Sequence, residues 1–164
     1  MRLAVPDHVL ALPRKDVAEF SLGFARFEFA LKASGFARNG QWGAEVDWSR
    51  FARSVGPRFD PSTRPELKIA VDYLLGDPPK KQRFVEGKLQ WVPPVPPQAW
   101  PSMAKLLFHV RGVRNNLFHG AKFLQRESED RARDAKLVSA ASLVLAECLR
   151  LSPDIGRVFD TEVL

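Results

Sequence analysis

The sequence predicts an all-α protein, an up-down bundle of about five helices interrupted by one long proline-rich loop. Three observations carry that prediction. Apolar residues recur at alternating steps of three and four in several separate stretches, which is the spacing of a helix face. Those stretches are bounded by helix-capping residues on one side and by glycine or proline on the other. Seven of the thirteen prolines then fall between Asp77 and Pro101, so no helix runs through that region.

The first helix is expected from about Val17 to Ser34. Asp16 is placed to cap it, Glu19 completes a capping box, and Gly35 ends it. Val17, Phe20, Phe24, Phe27 and Leu31 form its apolar seam. A shorter helix, about Glu45 to Val55, carries Val46, Trp48 and Phe51 and stops at Gly56-Pro57. The third runs from about Pro65 to Leu75, with Thr63 as cap, Pro65 and Glu66 in the first turn and Gly76 at its close. Its buried face is read as Leu67, Ala70, Val71, Leu74 and Leu75. Within the proline-rich loop 77–101, residues 83–92 are compatible with a small hairpin turning at Glu86-Gly87. Ser102 starts a fourth helix that reaches about His119. A fifth begins at Ser128 and ends before Ser152-Pro153, with Val138, Ala141, Leu145 and Cys148 as its seam. Ile155, Val158 and Phe159 imply a short C-terminal turn that packs back on the bundle.

The bulk numbers fit one domain over residues 1–164. Hydrophobic residues make up 45% and charged residues 27% of the 164, ordinary proportions for a globular domain with a real core. A net charge of +6 permits a polyanionic partner without requiring one. The single cysteine, Cys148, excludes an intrachain disulfide and reads as a small core residue. Pro6, Asp7 and His8 break up the apolar residues at the N-terminus, so no signal peptide is read there. The longest weakly polar run, Leu137 to Ala146, is far shorter than the roughly 20 residues that span a bilayer. The expected compartment is the cytoplasm, with no membrane partner.

The residues with chemistry cluster in Arg114-Asn115-Asn116-Leu117-Phe118-His119-Gly120, at the end of the fourth helix. Arginine holds a fixed positive charge and can grip a phosphate through two hydrogen bonds. Histidine can pass a proton near neutral pH. On a helical wheel Met103, Leu106, Val110, Val113 and Leu117 form the apolar stripe. Arg111, Asn115 and His119 follow one another at steps of four on the polar side, whereas Arg114 borders the stripe between Val110 and Phe118. Arg114 and His119 stand about 140° apart around an ideal helix and roughly 7.5 Å apart along it. They do not share a face, which favours a site completed by a second copy of the helix. Taken alone, the same residues also suit an interface arginine and a histidine at a helix C-terminus.

Arg114-Asn115-x-x-x-His119, followed by Lys122, resembles the signature of the HEPN superfamily: an arginine, a polar residue directly after it, and a histidine four to six positions past the arginine. The resemblance implies a helical bundle that dimerises and brings two motifs together in a basic cleft. Many members are metal-independent endoribonucleases, including toxins of toxin–antitoxin and phage-defence systems, where an antitoxin such as a nucleotidyltransferase is a partner. Others are inactive modules that bind a partner protein or a nucleotide. Under the nuclease reading Arg114, Asn115 and His119 are catalytic, Arg111 and Lys122 bind flanking phosphates of RNA, and Glu28 is a candidate third polar member. No cofactor is called for, and three histidines without a histidine–carboxylate spacing give no metal site. His109 is read as a surface residue. Most of the four tryptophans are expected in the core or clamping loops, and Trp91 or Trp100 offers a ring for a base to stack on.

Overall fold

A computed structural model describes residues 12–118 and 128–161. Four longer helices frame the core: α1 (Arg14–Ala33), α3 (Pro65–Gly76), α4 (Ser102–Phe118) and α5 (Ser128–Arg150). Two short helices, α2 (Trp48–Val55) and α6 (Pro153–Asp160), close its ends. Two antiparallel hairpins complete the described residues, β1–β2 (Ala37–Gly40, Gly43–Val46) and β3–β4 (Lys81–Val85, Lys88–Val92). The all-α prediction is therefore corrected: the protein is predominantly helical with two small β-sheets.

The first hairpin carries none of the alternating burial that marks a strand in a sequence. Of its paired residues only Val46 is buried. Turn geometry and local pairing hold it instead. Gly35 takes φ +88° after α1, and Gly43 takes φ +131° after the Gln41-Trp42 turn, a conformation that suits glycine. Arg38 and Glu45 face each other across the strands as an ion pair at 3.2 Å. The second helix consequently starts at Trp48 rather than Glu45, and Asp47 caps it by accepting from the Arg50 amide at 2.9 Å. The second hairpin turns at Glu86-Gly87, both at positive φ (49° and 76°), the signature of a primed two-residue turn.

Helix ends moved for similar local reasons. The first helix begins at Arg14, directly after Pro13, with Asp16 inside its first turn and no side-chain cap. Thr63 does not cap α3; its hydroxyl donates to the Asp60 carbonyl in a preceding 3-10 turn.

Helix periodicity does fix the core. Phe20, Phe24, Phe27 and Leu31 of α1 are buried, with Leu67, Ala70, Val71 and Leu74 of α3; Leu75, expected on that face, is instead 44% exposed. Leu106, Val110 and Val113 of α4 are buried in the same core as Val138, Ala141, Leu145 and Cys148 of α5. Burying one such aromatic or leucine side chain contributes roughly 1.5–3 kcal/mol. The C-terminal segment is a full helix, α6, seated on α1: Arg26 donates to the Val158 and Phe159 carbonyls at 2.9 Å each, satisfying backbone acceptors at the helix end. Among the described residues no helix is long and apolar enough to cross a membrane.

Candidate functional site

The motif helix α4 has three environments around its circumference. One stripe faces the core, as expected. A second edge meets α1, and there the structure brings together three of the residues singled out from the sequence. Arg114 Nη2 donates to Glu28 Oε2 at 2.9 Å, and Arg114 Nη1 donates to Asn115 Oδ1 at 3.0 Å. The guanidinium carbon lies 5.3 Å from the centre of the Phe24 ring, within cation–π range. Phe24 is itself in the buried seam of α1, so the ring is a fixed platform. Arg114 remains 31% and Glu28 26% exposed, which leaves the pair open to solvent.

Arg111, one turn earlier, rests over Trp48 of α2 at 5.3 Å. Burial is the main cause that lowers its pKa from the ordinary arginine value; Glu28 opposes the shift and Arg114 adds to it. Glu28 thus lies in the electrostatic reach of two arginines that are 83 and 86 residues away in sequence. No i, i+4 rule predicts such a cluster, although Glu28 was visible as a polar break in an aromatic run. His119 and Lys122 lie outside the described residues.

No family model, no curated protein and no solved structure matches this chain. The site is therefore read from its own geometry.

The third environment of α4 was hidden from helix-wheel reasoning, because the excursion 77–101 folds over it. Two tethers hold the excursion down. Arg133 of α5 grips Asp77 with two 2.8 Å hydrogen bonds and donates to the Pro78 carbonyl at 2.9 Å. These bonds are the main cause that lowers the Asp77 pKa from the ordinary carboxylate value. Three residues on, Asn116 Nδ2 donates to the Lys80 carbonyl at 2.9 Å. Pro79 meanwhile lies so close to α4 that a Cβ at Gly112 would come 3.0 Å from Pro79 Cγ. A glycine in mid-helix is costly unless something approaches it, so Gly112 was the available sequence signal for this contact.

Covering this side buries His109, which is 4% exposed rather than at the surface, and burial lowers its pKa. A cavity of about 430 Å³ remains between α4 and the excursion. Arg111 and Asn115 line it together with His109 and Trp100. Of the other tryptophans, Trp48 packs against Phe24 and Phe27, whereas Trp42 at the tip of the first hairpin is 88% exposed and fills no core. Among the described residues no three His, Cys, Asp or Glu side chains form a metal-binding group.

Proposed function

We propose that this protein is a cytoplasmic, metal-independent endoribonuclease of the HEPN type that works as a homodimer. The observation that supports this reading is the mounting of Arg114: an open guanidinium held by Glu28 and Asn115 over an aromatic ring, five residues before His119. A preorganised cation of this kind stabilises charge that develops on a phosphoryl group.

His119 takes the proton of a ribose 2′-hydroxyl as general base, and the 2′ oxygen attacks the adjacent phosphorus. Arg114 stabilises the added negative charge on the non-bridging oxygens. The P–O5′ bond breaks, and an imidazolium returns a proton to the departing oxygen. The products are a 2′,3′-cyclic phosphate and a 5′-hydroxyl end. Asn115 orients the arginine, while Arg111 and Lys122 engage flanking phosphates. A toxin paired with an antitoxin, such as a nucleotidyltransferase, is the biological setting that suits this chemistry.

A second reading, a catalytically silent module that binds a partner protein or a nucleotide, is favoured by one observation: the Arg114 charge is already met by Glu28. Purified protein incubated with RNA in chelator separates the two. The nuclease reading expects cyclic-phosphate ends and a loss of about 10²-fold or more in His119→Ala. RNA left intact by the wild-type chain, freed of any co-purifying protein, would falsify it.

A further inference from the structure

The cavity on the outer side of α4 has a composition that neither the fold nor the proposed cleavage chemistry requires. Its volume, about 430 Å³, lies in the range of small-ligand sites. Flat apolar groups make much of its wall. Pro79 and Pro94 come from the excursion, and Trp100 meets Phe108 edge-to-face at 5.9 Å. Phe108 in turn meets His109 at 5.4 Å, so three rings form a continuous aromatic corner. Trp100 keeps 37% of its surface exposed, an uncovered ring beside an open space.

Polar residues line the same space. His109 is nine-tenths buried, and its Nδ1 finds no hydrogen-bond partner. A buried polar atom left unpaired is unfavourable until something bonds to it. Burial also favours the neutral imidazole, which offers both a donor and an acceptor edge. Asn115 adds a side-chain amide and joins the cavity directly to the guanidinium of Arg114. The charged residues lining the cavity are Lys80, Lys81 and Arg111, and its described lining contains no carboxylate. The combination is a flat aromatic slot, hydrogen-bonding groups within it, and positive charge alongside.

We infer that this cavity is a nucleobase pocket: it seats one base of an RNA strand between the aromatic corner and the prolines Pro79 and Pro94, with the strand's phosphate lying toward Arg111 and Arg114. The direction of the phosphate rests on the ribonuclease reading; the base slot rests on its own walls. The excursion 77–101 then has a role, since its prolines and its two tethers hold one wall of the slot in place. Base choice is exercised there rather than at Arg114, which contacts only the phosphate.

The test titrates the full chain with each of the four ribonucleoside 5′-monophosphates and with ribose 5-phosphate, a probe that lacks the base. At least one monophosphate is expected to bind tenfold or more tightly than ribose 5-phosphate. Trp100→Ala is expected to weaken that monophosphate by about tenfold, the scale of one lost base-stacking contact. His109→Gln is expected to change which base is preferred. Should Trp100→Ala disturb the excursion, the ring-proton signals of His109 in the wild-type chain decide instead: they shift with the monophosphate and stay still with ribose 5-phosphate. Equal binding of all probes, or His109 signals that do not move, overturns the pocket. The ribonuclease reading fails separately: a chain that binds nucleotides through Trp100 but cleaves no RNA keeps the pocket and loses the reaction. Conversely, RNA cleavage with the same base preference in wild type and Trp100→Ala keeps the reaction and loses the pocket.

Discussion

Two glutamates in this protein each serve a pair of arginines, and the contrast between them separates a sealed cluster from an open one. Glu147 of α5 is 1% exposed and accepts from Arg64 at 2.7 Å and from Arg150 at 2.6 Å. The two arginines, 40% and 60% exposed, lie over the carboxylate and seal it, tying the start of α3 to the end of α5. Glu28 bonds Arg114 at a similar 2.9 Å and acts electrostatically on Arg111, yet the carboxylate itself stays open. Here the arginines rest on rings, Phe24 and Trp48, that belong to other elements. Distance alone does not distinguish the clusters. The difference is how far the carboxylate is buried: Glu147 is sealed and has no further ligand to meet, whereas the open Glu28–Arg114 pair, mounted on a ring, can still meet an anion.

The comparison breaks most readily at Arg114. On the proposed ribonuclease reading, Arg114→Ala is expected to lower RNA cleavage by about 10²–10³-fold, because a transition-state contact would be removed. Stability should change by only about 1 kcal/mol, because the ion pair is partly open to solvent. Glu28→Gln keeps the shape but loosens the guanidinium, and a drop of about 10- to 100-fold is expected from misplacement alone. Single-turnover cleavage together with thermal melting measures both. A rise in cleavage in Glu28→Gln would show the carboxylate competing with phosphate instead of positioning Arg114.

Glu147→Gln should show the opposite pattern. A buried, charge-assisted cluster is weakened, at a cost of about 2 kcal/mol. For a chain of this size that lowers Tm by about 4–8 °C, with cleavage by the folded protein unchanged. The acid limb sharpens the point. Hydrogen bonding from Arg150, opposed by burial and reinforced by the charges of Arg150 and Arg64, lowers the Glu147 pKa below its reference value of 4.5. The unfolded chain therefore binds the proton first. The stabilisation is fully present above the unfolded pKa and is lost as pH falls through the lower folded pKa. Urea melts taken below pH 5 should lose stability more steeply in wild type than in Glu147→Gln. Parallel acid limbs would remove Glu147 from its structural role.

How far this was legible in the sequence follows the range of the interactions. The seams of α1, α3 and α5 follow from local periodicity, Leu75 of α3 excepted, and the turn at Glu86-Gly87 from local turn chemistry. The β1–β2 hairpin did not, because its strands are exposed and show no alternation to read. Arg114 was correctly placed at the border of the apolar stripe, but its partner is 86 residues away, and only the tertiary fold brings Glu28 to it. His109 misled for the same reason. Helix-wheel reasoning treats whatever lies off the apolar stripe as solvent-facing, and it cannot know that a distant excursion will cover that side.

The neighbouring amides Asn115 and Asn116 carry the smallest test of the contrast, and the sharpest in position. Both look equivalent in sequence, yet they point to different duties. Asn115 accepts from Arg114 at 3.0 Å, and Asn116 donates to the Lys80 carbonyl at 2.9 Å. Asn116→Ala deletes one exposed hydrogen bond, expected to cost about 0.5–1 kcal/mol. The excursion stays anchored through the paired 2.8 Å bonds between Arg133 and Asp77, so only its near end is freed. Hydrogen exchange should quicken in β3 while the amides of α5 stay protected. Asn115→Ala should leave β3 exchange unchanged and lower cleavage, since the arginine loses a neighbour that fixes its orientation. If Asn116→Ala reduces cleavage more than Asn115→Ala does, the excursion rather than the Arg114 cluster governs the reaction, and the division drawn between the two glutamate clusters no longer holds.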